Sequence, residues 1–176
     1  MKKVLIIGNA GGGKSTMARK LSVAQNLPYY AIDEIQWNPG WQQVPKEEYN
    51  FKHTNLLSKS KWIIDGFGHW DSIEARFQEA DTIIYVDHPI WVHYWWATKR
   101  QLKCLFLERP DGPVGCPMLP VTLRLYKMIW DIDKNSKPKI LQLIETNKSD
   151  KKVIHIGSPK ELKSFINSYT TSIGFI

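Results

Sequence analysis

The sequence predicts an α/β fold with three layers, in which helices cover both faces of a five-stranded parallel sheet. The main observation is that short apolar runs alternate with longer stretches of helical periodicity, the pattern of successive βαβ units. The chain has 176 residues, of which 43% are hydrophobic and 23% charged, as is typical of one globular domain. No repeat or linker interrupts it, so we predict one domain spanning residues 1–176.

The first half of the chain alternates strands with helices. Lys3–Ile7 is a short apolar run, and in Lys14–Gln25 the apolar residues recur every three or four positions, as on one face of a helix. Pro28–Ile32 is predicted as the second strand. Pro45–Ser58 is predicted as a helix because proline is favoured near a first helical turn. Trp62–Asp65 is predicted as the third strand.

A short helix, Asp71–Gln78, and a fourth strand, Thr82–Val86, follow. Residues 89–108 are predicted as a helix whose Trp91 and Trp95, four positions apart, share one face and pack on the sheet. The alternative is that these tryptophans form a stacking wall for a planar acceptor or a base.

The remaining elements complete the fold. A loop rich in proline and glycine, Arg109 to Pro120, precedes a largely helical stretch, Val121–Asn147, with a doubtful section at Asn135–Pro138. Val153–Ile156 is the fifth strand. The closing helix, Pro159–Tyr169, begins behind a serine with a glutamate three residues on, which is the spacing of a capping box.

A phosphate-binding loop lies between the first strand and the first helix. The segment Gly8-Asn9-Ala10-Gly11-Gly12-Gly13-Lys14-Ser15, followed by Thr16, matches the Walker A pattern in full. Glycines let successive N–H groups point inward as an anion nest at a helix N-terminus. Lys14 would pair with the β- and γ-phosphates and Ser15 would bind Mg²⁺. We therefore expect Gly8 to Thr16 to bind ATP with Mg²⁺.

Acidic residues follow three predicted strands, at Asp33, Asp65 and Asp87. Ligands of an open parallel sheet bind beyond the carboxyl ends of its strands, so we expect these acids on the side of the phosphate-binding loop. Asp33 or Asp65 could hold Mg²⁺ or act as a base toward a substrate hydroxyl. The alternative is that each acid only caps the next helix.

Several segments together resemble the DNA topology modulation protein family, which is related to adenylate kinase. They are Gly8–Thr16, Leu27–Trp41, Trp62–Gly68, Ile83–Pro89 and Arg109–Pro117. The resemblance implies a P-loop kinase-like fold with strand order 2-3-1-4-5, ATP binding, phosphotransferase chemistry and a mobile lid near residues 98–120. It also implies that arginines of this segment contact phosphates. Arg100, Arg109 and Arg124 lie in or beside it, and we expect Arg100 and Arg109 to be catalytic residues beside Lys14. The alternative is that they are surface arginines that hold the helix by salt bridges.

The acceptor region departs from the adenylate kinases, which carry arginines after the second and third strands. Here the corresponding positions offer Asp33 and the pair Asp65-Gly66. The acid after the second strand is similar to that of small-molecule hydroxyl kinases, so we expect Asp33 to contact the acceptor. Trp37 and Trp41 lie in the following loop and are candidates for the same pocket.

The charge distribution leaves more than one function open. The net charge is +7, and residues 89–176 carry 14 Lys and Arg against 7 Asp and Glu. This excess fits a solvated face, a cationic lid or a nucleic-acid surface. A DNA-associated ATPase or regulator affecting DNA topology therefore remains an alternative to a kinase, as does a nucleotide-binding protein without transfer activity. Cys104 and Cys116 fit a reducing compartment. We expect a cytoplasmic monomer or homodimer that acts on a small molecule.

Overall fold

The computed structural model describes residues 1–104 and 112–170. Along the chain its strands are β1 (Lys3–Gly8), β2 (Tyr29–Ala31), β3 (Trp37–Asn38), β4 (Gln42–Gln43), β5 (Trp62–Asp65), β6 (Thr82–Val86) and β7 (Lys152–Ile156). Five of them form a parallel sheet in the order β2-β5-β1-β6-β7, and β3 pairs with β4 as a separate antiparallel hairpin. Because the sequence analysis did not predict the hairpin, the strand numbers differ from the expected order. When only the sheet strands are counted, the order is 2-3-1-4-5.

Eight α-helices are found among the described residues. They are α1 (Lys14–Gln25), α2 (Ile32–Gln36), α3 (Lys46–Leu57), α4 (Trp70–Glu79), α5 (Ile90–Lys103), α6 (Thr122–Asp131), α7 (Lys137–Asn147) and α8 (Pro159–Thr170). None of these helices has the length and apolar character needed to cross a membrane.

The helices cover the sheet on both faces, because successive side chains of a strand point to opposite sides. From β1, Val4 and Ile6 pack with α1 and α8, whereas Leu5 and Ile7 pack with α3, α4 and α7. The central strands are apolar at nearly every position, as expected of a sheet buried on both faces.

The second predicted strand is shorter than expected. Pro28–Ile32 was predicted, but β2 ends at Ala31 and Ile32 begins α2. Asp33 therefore lies in the first turn of a helix, where its charge suits the helix dipole.

The long helical stretch predicted over Val121–Asn147 is interrupted. Between α6 and α7, residues Ile132–Ser136 form a wide π-type turn. Pro138, in the first turn of α7, has no N–H to continue the regular ladder. The section Asn135–Pro138, where the sequence made the helix doubtful, thus overlaps the end of this π-type turn and the start of α7.

The prediction that Trp91 and Trp95 pack on the sheet is wrong. Their exposed fractions are 65% and 53%. The buried face of α5 instead carries Val92, His93 and Ala97. This face lies against the glycines of the phosphate-binding loop: a Cβ added to Gly11 would lie 2.8 Å from the backbone oxygen of His93, and one added to Gly13 would lie 3.0 Å from Cζ3 of Trp96.

Candidate functional site

The phosphate-binding loop joins β1 to α1 in conformations that require glycine. Gly11 and Gly13 have φ of 74° and 77°, in the left-handed region that side chains disfavour. Gly8 has φ of 145°, and a Cβ there would lie 2.1 Å from the backbone oxygen of Val86. Helix α1 begins at Lys14, so its N-terminal N–H groups and dipole face the loop.

Helix α5 supports this loop from behind through His93. The side chain is 1% exposed, and Nδ1 donates a hydrogen bond of 2.9 Å to the backbone oxygen of Ala10. Burial, followed by the positive charge of Lys14, lowers the pKa of His93 to about 4. The ring is therefore neutral near pH 7 and acts as a structural support for the loop.

Asn9 anchors the loop to α6. Its Nδ2 donates to the backbone oxygen of Ile129 at 2.7 Å, and its Oδ1 accepts from the N–H of Ala10 at 2.7 Å. The side chain is thus directed away from the phosphate position. The Asn9 backbone oxygen accepts a hydrogen bond of 2.7 Å from Nζ of Lys14, which keeps the ammonium beside the loop.

Asp65, the last residue of β5, is 2% exposed. Its Oδ1 accepts a hydrogen bond of 2.9 Å from the hydroxyl of Tyr29, whereas Oδ2 is buried without a hydrogen-bond partner. Burial raises the pKa of Asp65, although the charge of Lys14 and the nearby hydroxyl of Ser15 oppose that change. A buried carboxylate oxygen without a partner is costly, so this atom is a candidate ligand for a cation.

One cavity of about 410 Å³ brings most of the predicted residues together. Its lining includes Gly8, Ala10, Gly11, Gly12, Gly13, Lys14, Ser15, Thr16, Asp33, Trp37, Trp41, Asp65, Gly66 and Arg100. Asn9, a predicted position that the structure describes, is not in this lining and contributes to the anchor described above. The predicted residue Arg109 lies outside the described residues.

Asp87, expected on the same side, does not line the cavity. Its carboxylate forms an ion pair of 2.6 Å with Lys137 and lies 3.4 Å from Nε2 of His155. Asp87 therefore fixes α7 against β7 rather than facing the ligand side.

The β3–β4 hairpin forms one wall of the cavity and is bound to the segment 113–118. The N–H of Gly40 donates to the oxygen of Gly115 at 2.8 Å, and Nε1 of Trp41 donates to the oxygen of Pro117 at 2.7 Å. Sγ of Cys116 lies 3.3 Å from the oxygen of Asn38. These contacts join the region after β2 to the region predicted as the lid.

Trp37 and Trp41 pack edge to face, with ring centroids 5.7 Å apart. The guanidinium of Arg124, from the first turn of α6, lies over the ring of Trp37 at 5.0 Å. All three side chains line the cavity. The hairpin and α6 thus place an aromatic pair and a cation in the wall of the cavity that also contains the phosphate-binding loop.

Arg76 is a residue of this region that the sequence analysis missed. It is fully buried in α4, and its guanidinium donates to the backbone oxygens of Ser72, Gly66 and Phe67. Burial lowers its pKa to about 10, so the side chain remains charged. Gly66 and Phe67 line the cavity, and Arg76 therefore positions this wall from behind.

Comparisons with protein-family models and with curated protein sequences gave no match. Among solved structures, the chain is similar to shikimate kinase from Acinetobacter baumannii in complex with shikimate, with a TM-score of 0.61, 12% identity and coverage of 98% of this chain and 93% of that chain. It is also similar to an unliganded sugar kinase from Janibacter sp. HTCC2649, with a TM-score of 0.50, 12% identity and coverage of 97% and 95%.

At this level of identity the likeness shows the fold, an α/β architecture with a five-stranded parallel sheet. The resemblance to DNA topology modulation proteins stays a prediction.

Proposed function

We propose that this protein is an ATP-dependent phosphotransferase that transfers the γ-phosphoryl group to a small hydroxylated acceptor. The observation that carries the proposal is the single cavity that contains the phosphate-binding loop, two carboxylates and two arginines, Arg100 and Arg124. A simple nucleotide-binding loop needs only the first of these. The carboxylates and arginines in the same cavity are the groups that phosphoryl transfer to a second substrate requires.

The loop and Lys14 bind the phosphates in this proposal. Backbone N–H groups from Gly11 to Ser15 surround the phosphate chain, and the ammonium of Lys14, now beside the Asn9 oxygen, contacts the β- and γ-phosphates. Thr16 follows the motif and lines the same end of the cavity. The gain in transition-state stabilisation comes from charges that are already in position before the reaction.

The residues present fit Mg²⁺. Among the described residues no cluster of three or more His, Cys, Asp or Glu could hold a metal ion alone, which suits an ion held by few side chains together with phosphate oxygens and water. Ser15 supplies a hydroxyl, Asp65 supplies the buried Oδ2 without a partner, and Asp33 lines the same cavity. When bound, Mg²⁺ would neutralise charge on the phosphates.

Asp33 and the arginines act on the transferring group. Asp33, at the N-terminal turn of α2, orients the acceptor hydroxyl and accepts its proton. Arg100 neutralises the developing charge on the phosphoryl oxygens, and Arg109 is proposed as a second cation for the same charge. Helix α6 and the β3–β4 hairpin cover the cavity and reduce the access of water, which would otherwise compete as acceptor.

The names of the two structural neighbours support this assignment in general terms. One is a shikimate kinase and the other a sugar kinase, and a sugar is a small hydroxylated acceptor. The fold is thus one that accommodates such chemistry, while the acceptor of this chain must be established from its own site.

ATP consumption by the purified protein with Mg²⁺, measured against nucleosides, nucleotides and hydroxylated metabolites, tests the proposal. We expect one class of acceptor to accelerate turnover and Lys14→Ala to abolish the acceleration. Lys20→Ala, an exposed lysine on the same helix, is the matched control and should behave as wild type. Slow turnover that no acceptor changes would refute phosphoryl transfer and favour an ATPase or a regulator.

A further inference from the structure

Arg124 is a cation whose position protein stability alone does not explain. It lies in the first turn of α6, which contains no acidic residue, and a positive charge there is unfavourable beside the positive end of the helix dipole. No carboxylate in residues 1–104 and 112–170 forms an ion pair with it; its one described partner is the ring of Trp37. The hydrogen-bond donors of the guanidinium therefore remain available to a ligand.

The aromatic pair holds this guanidinium in place. Trp37 supplies the ring face at 5.0 Å from Cζ of Arg124, and Trp41 supports Trp37 edge to face. Trp41 is in turn fixed by its hydrogen bond to the oxygen of Pro117. A stacked arginine with limited freedom loses less entropy when it binds a planar anion through two parallel hydrogen bonds.

The sheet order assigns this group to the acceptor side of the cavity. Trp37 follows β2, at one edge of the sheet, and the phosphate-binding loop follows β1 at its centre. Asp33, proposed to contact the acceptor hydroxyl, lies in α2 directly after β2 and lines the same cavity as Trp37. Arg124 contacts Trp37 and lines this cavity as well, so it lies with the group proposed to hold the acceptor.

We propose that Arg124, braced by Trp37 and Trp41, is an anion subsite, so that the acceptor is a hydroxylated compound that also carries a carboxylate or a phosphate. This inference rests on the proposed phosphotransferase function. The anion binds to Arg124 while Asp33 receives the hydroxyl proton, and the oxygen of that hydroxyl forms the new bond to the γ-phosphorus as the bond to ADP breaks. The two contacts fix both ends of the acceptor.

Matched pairs of acceptors that differ in charge test the proposal. Gluconate with sorbitol examines a carboxylate, and adenosine monophosphate with adenosine examines a phosphate. We expect the wild type to prefer the charged member of one pair. Arg124→Gln should raise KM for that acceptor by about 10–100-fold, because a hydrogen-bonded charge is lost, while KM for ATP changes less than about 2-fold.

Two further variants separate a specific role from a general one. Arg124→Lys keeps the charge without the planar fork and should fall between wild type and Arg124→Gln. Lys127→Gln, an exposed lysine on the same helix outside the cavity lining, should match the wild type. Equal thermal denaturation midpoints would show that the variants are folded.

The outcomes distinguish a failure of the anion subsite from a failure of the proposed phosphotransferase function. Equal use of the neutral members, or an effect of Arg124→Gln on KM for ATP alone, would overturn the anion subsite and leave the phosphotransferase intact. Phosphorylation of no acceptor by the wild type would instead defeat both.

Discussion

His93 should make the folded state sensitive to acid. Its pKa is 6.5 in a solvated chain and about 4 in the folded protein. Between these values the unfolded chain binds a proton that the folded chain does not. Because the unfolded state binds more protons, the free energy of unfolding falls as the pH falls through this window. Stability contributed by the neutral ring is fully present above about pH 6.5 and is lost toward about pH 4.

The magnitude follows from the shift and the burial. The difference between 6.5 and about 4, at about 1.4 kcal/mol per pH unit, gives about 3 kcal/mol in total. Most of this, about 2 kcal/mol, should be lost by about pH 4.5. The side chain is 1% exposed, so solvent screening reduces this figure little.

His93→Gln isolates this effect, because glutamine does not titrate and its amide can still donate to the backbone oxygen of Ala10. Urea unfolding of both proteins from about pH 7 to about pH 4.5 should show the wild type losing about 2 kcal/mol more than the variant. His53, whose pKa is also lowered to about 4, is present in both proteins and cancels. Lys20→Ala, at an exposed position on α1, is the control and should keep the wild-type pH dependence. Parallel pH dependences for wild type and His93→Gln would refute the reasoning.

Two substitutions in the cavity wall should separate stability from function. Burial raises the pKa of Asp65 from its ordinary value of 3.8, so the folded chain is destabilised as the pH rises above that value. Asp65→Asn should therefore raise the thermal denaturation midpoint at neutral pH while lowering turnover by at least about 100-fold. A lower midpoint with intact turnover would contradict this. Trp41→Phe removes the hydrogen bond to Pro117 and should raise KM for the acceptor about 2–5-fold without changing KM for ATP. Steady-state kinetics in which KM for ATP rises and KM for the acceptor does not would place the hairpin on the nucleotide side.

The sheet and the phosphate-binding loop could be predicted because their signals are local. A run such as Val4 to Ile7 is apolar at every position, and this pattern arises only where both faces of a strand are covered. The Walker A pattern likewise specifies its own backbone, since Gly11 and Gly13 adopt left-handed conformations that few other residues tolerate. The β3–β4 hairpin has no such signal: its strands contain two residues each, too few to show any alternation.

The orientation of α5 could not be read from the sequence because large side chains occur all around the helix. Trp91 and Trp95 define one stripe, and His93 with Ala97 defines another. Hydrophobicity favours Trp91 and Trp95 for the buried side, yet the face toward the glycine loop carries His93, Trp96 and Ala97. This contact joins two elements that are 83 positions apart at His93 and Ala10, so the periodicity of α5 alone does not show which face is buried.

Arg76 shows a signal that was present and overlooked. Ile73 and Phe77 are buried on α4, and Arg76, three positions after one and adjacent to the other, shares their face. A charged residue on an apolar face is expected only where it is fully hydrogen-bonded, and here the partners are the backbone oxygens of Gly66 and Phe67. Those oxygens belong to the cavity wall beside Asp65. The charge of Arg76 on the buried face of α4 therefore indicated the site. Its hydrogen bonds hold the irregular loop at Gly66 and Phe67 in one conformation, and these bonds compensate for the desolvation of the buried cation.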